Sequence, residues 1–433
     1  MAQKTNLRKM SFGILDALRG GPIKKHLTEI VSIINEKDEN LIQTHIDHCL
    51  KRLLLHAKSS TKFYSQANIE KGLSAFPVVN KNIIRENIDA FISNQFDDKN
   101  RIMALTSGST GTPFKVYYNK DKKNRNTADT IYFGGLAGFR LGMKLYYMKI
   151  WTKINRKSRK RAWIENIEAV DVTQLSDTNL PLLIEKFKSE ETPFAILAYS
   201  SALETVCKYL DKYHPDIKIA NVASVITMSE TLNEYTKIAV KKFFDVPAIS
   251  RYSNIENGII AQCVPNGDSS FLINRASYLV QVLSFDSDKP VEMGKPGRIV
   301  VTDFFNYALP MIKYDTGDVG VLGKNNKGQL VLTSVEGRRL DMVYNTKGEL
   351  ISSFSINNNM LLFPEIKQYQ FIQLGKAEYI FKLNPEGSFT REQELINFFK
   401  PFFGNDADIK VEYVKEIPLL NSGKRKMVVN LMH

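Results

Sequence analysis

The chain has 433 residues, enough for more than one domain, with 43% hydrophobic and 24% charged residues, 24 glycines and 15 prolines. That is globular composition, and it excludes a disordered, collagenous or coiled-coil chain. Lys and Arg number 59 against 46 Asp and Glu, a net charge of +13, which favours nucleotides, coenzyme phosphates, nucleic acid or an anionic membrane without choosing among them.

The N-terminus carries basic residues and one short apolar run, Phe12 to Leu18, and no run of about 18 apolar residues occurs anywhere. Cys49, Cys207 and Cys263 are far apart and make no CxxC pair. A cytoplasmic protein without disulfides, a cysteine zinc site or membrane spans is therefore expected.

The first hundred residues predict helices, because Ile30, Ile33 and Ile34, then Ile42, Ile46, Leu50, Leu53 and Leu54, recur at three- and four-residue steps. His45, His48, Cys49 and His56 fall in this stretch and approach one helix face. With no second ligand cluster, they read as helix surface and packing rather than a metal site. From residue 100 the grammar becomes α/β. Apolar runs at 195–198, 222–227, 248–252 and 298–302 predict strands, alternating with helices over 180–188 and 203–213.

A β-rich stretch follows, with strands at 319–322 and 330–333 joined by a turn over 323–328. Beyond Arg338 come short strands, one helix over 391–399 and a basic tail over 421–426. No period of 20 to 50 residues repeats. The expected architecture is a large multi-subdomain α/β domain, residues 1–338, followed by a small mobile α+β lid domain, residues 339–433.

The most informative segment runs Leu105-Thr106-Ser107-Gly108-Ser109-Thr110-Gly111-Thr112-Pro113-Phe114-Lys115. Small residues let backbone N–H groups approach an anion, hydroxyls add donors and a lysine neutralises charge, which together suit a polyphosphate. The order is not that of a Walker loop, and an exposed Ser/Thr/Gly turn is the plain alternative. This segment resembles the phosphate-binding loop of the adenylate-forming superfamily, whose pattern is roughly TSGSTGxPK. Further matches follow in order: Tyr252 to Glu256 resembles the YGxTE motif, Tyr314 to Asp318 the YxTGD motif, Gly337 to Asp341 the GRxxD hinge, and Ser422-Gly423-Lys424 the C-terminal NGK motif. Within the superfamily the chain is similar to the phenylacetate-CoA ligase group and its CapK-like relatives, through the stretches Lys51 to Tyr64 and Leu73 to Glu86 with Pro77 and Lys81. The resemblance spans nearly the whole chain.

The resemblance implies that ATP and a carboxylic acid form an acyl-adenylate and pyrophosphate, after which CoA takes the acyl group. A carrier-protein thiol, or a sugar or amine in surface-polysaccharide assembly, is the alternative acceptor, and a silent nucleotide-binding partner protein is a third reading. Thr106, Ser107, Gly108, Ser109, Thr110, Gly111 and Thr112 would hold the phosphates. Glu256 would bind Mg²⁺, Tyr252 would pack on adenine, Asp318 and Arg338 would hold the ribose, Asp341 would be the hinge and Lys424 the catalytic cation. By analogy the acid pocket takes Trp151, Tyr199 and Ser200.

The sequence departs from the pattern where Phe114 precedes Lys115, where Ser253 and Ile255 replace a glycine and a threonine, and where Arg339-Leu340 lacks a second acidic residue. The run Lys153 to Arg161 carries six cations in nine positions. It reads as a solvated loop, with CoA phosphate, an anionic glycan or carrier, or an acidic membrane surface as functional alternatives. Sparse aromatics there argue against nucleic acid. A peripheral membrane contact and a homodimer stay open. No GxSxG elbow or GxGxxG loop occurs, which disfavours a serine hydrolase and a dinucleotide enzyme.

Overall fold

Helical periodicity at the start of the chain becomes three helices, Ala2–Leu18, Pro22–Asn35 and Glu39–Ser60. The computed structural model describes residues 2–105, 114–151, 156–265, 267–338, 343–351, 356, 359–418 and 426–432. Gly21, in the left-handed region at φ 69°, followed by Pro22, starts the second helix. Asp38 caps the third by accepting from Asn40 N. The third helix buries Ile42, Ile46, Cys49, Leu53, Leu54 and Ala57 along one stripe.

That stripe finds its partners far along the chain. Leu53, Leu54 and Ala57 pack with Phe76, Phe91 and Phe114 and with Leu309 to Tyr314 in one apolar cluster. Val79 and Asn80 pair in parallel with Tyr314 and Asp315. The N-terminal helices are thereby sewn to a strand more than two hundred residues later.

A twelve-stranded sheet dominates the molecule. Five parallel strands form one half, in the order Ile167–Asp171, Lys144–Lys149, Phe194–Tyr199, Val222–Met228 and Ala248–Asn254. The helices Leu180–Lys188, Ser200–Tyr213 and Glu234–Phe244 fall between them in sequence. Parallel strands need such crossovers, and burial on both faces explains their aliphatic runs. Ile196, Leu203, Val206, Leu210, Val225 and Phe243 form their common core. The other half is antiparallel and runs through Gly258–Cys263, Phe271–Ile273, Leu330–Arg338, Tyr314–Lys324, Pro296–Asp303 and Tyr278–Leu283.

The expected strands at 319–322 and 330–333 are parts of the longer strands Tyr314–Lys324 and Leu330–Arg338, because the antiparallel pairing continues to Asp318 opposite Arg338. The helix expected over 203–213 begins at Ser200.

The helix Lys120–Leu136 had no apolar signature in the sequence, and its burial explains why. Lys122, Arg125 and Asp129 are fully buried on one face. Lys122 Nζ lies 2.6 Å from Asp303 Oδ2 and donates to Tyr278 Oη at 3.0 Å. Arg125 donates to Ser277 Oγ at 2.8 Å and to the Ala276 carbonyl at 2.7 Å, and pairs with Glu29 at 3.2 Å. Asp129 accepts from Asn274 and Ser277, each at 2.9 Å, yet burial still raises its carboxyl above the usual range. Ions occupy the place of a hydrophobic seam.

The C-terminal region builds its own four-stranded sheet, in the order Asp408–Tyr413, Glu378–Pro385, Ile366–Gln373 and Val428–Asn430, against the helix Glu392–Phe403. Its core is aromatic, with Phe371 stacked on Phe403 at 4.7 Å. The helix runs four residues beyond the expected end, through Pro401, because Phe403 is fully buried in that core. Among the described residues no helix is long and apolar enough to cross a membrane.

Candidate active site

The carboxyl ends of the parallel strands form the edge where open α/β sheets bind ligands. Trp151 follows the strand Lys144–Lys149, Tyr199 ends the strand Phe194–Tyr199, and Ser200 opens the next helix. Trp151 Nε1 donates to the Tyr147 carbonyl at 3.0 Å, its ring meets Tyr147 edge-on at 5.3 Å, and Lys149 Nζ lies 4.4 Å from its centroid. Burial, reinforced by Tyr147, pushes the Tyr199 phenol up to about 12. Ser200 is buried and donates to the Glu230 carbonyl at 3.0 Å, while the Glu230 carboxylate accepts from Ser201 N at 2.8 Å. Tyr147 and Lys149 complete an aromatic, cationic wall that no sequence motif marked.

Two residues of separate motifs meet directly. The Tyr252 hydroxyl donates to Asp318 Oδ2 at 2.8 Å and lies 3.1 Å from Thr316 Oγ1. Thr316 uses its own proton on the Ile299 carbonyl and accepts from Asp318 N at 3.2 Å. Burial and the Asp318 charge hold the Tyr252 phenol well above its ordinary value, so it remains a donor. The neighbouring Asp315 is already committed, to Arg298 at 2.7 Å and to Gly317 N at 2.9 Å. Gly317, at φ 79°, provides the left-handed turn that Thr316 to Asp318 require. Strand register sets Arg338 opposite Asp318.

Glu256 lies just past the strand Ala248–Asn254 and is 8% exposed. It accepts from Tyr314 Oη at 3.4 Å, and no Lys or Arg pairs with it among the described residues. A buried carboxylate lacking a counter-ion fits a hard cation. The hairpin Arg101–Leu105 and Lys115–Asn119 pairs Leu105 with Lys115, and Tyr118 of its second strand donates to the Ile255 carbonyl beside Glu256. Tyr314 and Thr316 stand inside a motif and were findable there; Tyr118 carried no signal in the sequence. Thr106 to Thr112, Asp341 and Lys424 lie outside the described residues, as does the Arg338 side chain.

The histidine-rich helix divides its members. His45 lies 3.7 Å from Cys49 Sγ and 3.6 Å from Glu29 Oε1, and the three form a metal-sized group. Arg125 already pairs with that Glu29, and burial pushes the Cys49 thiol up to about 11. His48 is exposed, and His56 Nε2 hydrogen-bonds the Tyr307 carbonyl at 2.8 Å. His45 and Cys49, which the spacing assigned to helix packing, thus stand with Glu29 in a group of metal-ligand size, to which His48 and His56 do not belong.

With this geometry, the fold is that of the adenylate-forming CoA ligases. The 2-hydroxyisobutyryl-CoA ligase in the postadenylation state, in complex with R3-HIB-AMP, matches with a TM-score of 0.69 at 14% identity, over 89% of this chain and 88% of that one. An open conformation of that ligase with 2-HIB-AMP and CoA gives 0.60 at 14% identity, over 86% and 88%. ATP-bound MatB from Rhodopseudomonas palustris gives 0.56 at 13% identity, over 75% and 66%. Within that fold, residues 343–431 match the CapK C-terminal domain. The chain is also 20% identical over 400 residues to Protein CapK of Staphylococcus aureus, covering 87% of this chain and 86% of that protein.

Proposed function

We propose that the protein condenses ATP with a carboxylic acid to an acyl-adenylate and passes the acyl group to CoA. The observation that carries this reading is the Tyr252–Asp318 hydrogen bond beside Glu256, at the ligand-binding edge of a fold whose neighbours hold ATP, acyl-AMP and CoA. In this reading Asp318, fixed by Tyr252 and Thr316, accepts the ribose hydroxyls, and Arg338 on the facing strand adds charge-assisted bonds. Tyr252, given an adenine-packing role by its motif, also positions Asp318. Residues Thr106 to Thr112, between strands tied to the Glu256 segment, take the phosphates. Mg²⁺ on Glu256 would neutralise phosphate charge.

The acid sits by the wall of Tyr147, Trp151, Tyr199 and Ser200. The small C-terminal unit, residues 339–433, serves as a mobile lid turning at Asp341, and brings Lys424 between the carboxylate and the α-phosphate. Phenylacetate-like acids are the first substrates to try. Three free cysteines suit a reducing, cytoplasmic setting.

Pyrophosphate release screened over aryl, fatty and amino acids, with and without CoA, tests the reaction; no acid-dependent release would sink it. Lys424→Ala should slow adenylate formation about a hundredfold while a supplied adenylate is still turned over. Asp318→Ala should weaken ATP binding by roughly 2 to 4 kcal/mol, and Tyr252→Phe by about 1 kcal/mol, both read by calorimetry.

A further inference from the structure

The first helix turns its apolar stripe away from the protein. Leu7, Met10, Ile14 and Leu18 are 58% to 79% exposed. At the helical period they occupy an arc of about 80°. Asp16, on the opposite side, is buried, and its carboxylate accepts from Ile23 N at 3.1 Å and Lys24 N at 3.0 Å at the start of the next helix. The anchoring face carries Asp16 beside the half-buried Phe12, while the outer face presents the apolar stripe, unlike an ordinary surface helix, whose apolar stripe faces the core.

A second exposed apolar pair adjoins it. Trp163 is 72% and Ile164 59% exposed on the helix Arg159–Glu165, and Arg8 of the first helix lies 5.7 Å over the Trp163 ring. Cations surround both elements. Lys9, Arg19, Arg156, Arg159 and Lys160 are exposed, while Lys157 and Arg161 pair with Glu165. Asp16 is the sole acidic residue among the first 28, and it faces inward. Burial holds the Lys123 ammonium below its usual range, and the nearby Arg161 and Lys157 add to the shift.

We propose that the outer stripe of the first helix, together with Trp163 and Ile164, is a docking surface for an anionic lipid bilayer on which the protein lies peripherally. Apolar side chains ringed by cations, with an indole among them, match the acyl-headgroup boundary and its negative surface. Charge decides against a second copy of this chain, because a self-complementary contact here would set cation against cation. The lipid surface supplies the opposite sign.

Co-sedimentation of the full chain with phosphatidylcholine vesicles, with and without phosphatidylglycerol, tests this. Binding should require phosphatidylglycerol and fall at least about tenfold near 1 M salt, where the Debye length is ~3 Å. Replacing Leu7, Met10, Ile14 and Leu18 with Ser should abolish it, and Arg159→Gln with Lys160→Gln should weaken it roughly fivefold per cation. The chain has two tryptophans, so in a Trp151→Phe variant the emission of Trp163 should move to the blue on vesicles. No sedimentation with either vesicle, unchanged binding in the Ser variant, or a dimer that the Ser variant dissociates in light scattering would each overturn the proposal.

Discussion

The core of the parallel half of the sheet and one stretch of the inward face of the helix Lys120–Leu136 are both buried, yet they reach burial by opposite chemistries. In the first, Ile196, Val225 and Leu210 pack within one apolar cluster. In the second, Lys122, Arg125 and Asp129 meet Asp303, Ser277 and Asn274. An aliphatic core tolerates the loss of one partner by local collapse, whereas a buried ion that loses its partner keeps the cost of its lost hydration. The same depth thus implies different fragility.

The sharpest break of that contrast is Asp303→Ala, which strands the Lys122 ammonium and should cost about 3 to 5 kcal/mol in urea unfolding. Pairing Lys122→Met with Asp303→Leu should recover most of that loss, since two apolar groups need no counter-charge; a double variant as weak as Asp303→Ala would mean that the ions are irreplaceable. Next in size, Ile196→Val in the parallel half should cost about 0.5 to 1.5 kcal/mol, with no pH dependence of the difference.

The smallest effect is a slope. Burial lowers the His45 and His56 imidazoles below their usual value, so the unfolded chain binds more protons than the folded one as pH falls below about 6.5. Stability contributed above that value is lost on acidification through the folded values. His56→Gln should flatten the fall in urea midpoint between about pH 7 and pH 5. An unchanged slope would remove His56 from the account.

The contrast also explains what the sequence could reveal. Residues 195–198 and 222–227 read as strands, within the observed Phe194–Tyr199 and Val222–Met228, because two-sided burial leaves an aliphatic run. Lys120–Leu136 gave no such signal, because its inward residues are the types that ordinarily mark a solvated face. At the candidate site, Tyr252, Glu256 and Asp318 were legible as ordered motifs, whereas the pairing of Asp318 opposite Arg338 emerges only from the strand register. The hydrogen bond from Tyr252 to Asp318 joins residues 66 apart in sequence, and no local pattern encodes it. Tyr147 and Tyr118 were invisible for the same reason: an ordinary aromatic at the end of a strand acquires its role only from what the sheet sets beside it.

The pairing of Val79 with Tyr314 has a consequence during synthesis. At about 5 to 20 residues per second the ribosome needs roughly 10 to 50 seconds to make the intervening chain. Throughout that interval Leu53, Leu54, Phe76 and Phe91 lack the Leu309 to Tyr314 segment that covers them. The N-terminal helices emerge first but finish folding late, exposed meanwhile to aggregation and to chaperones.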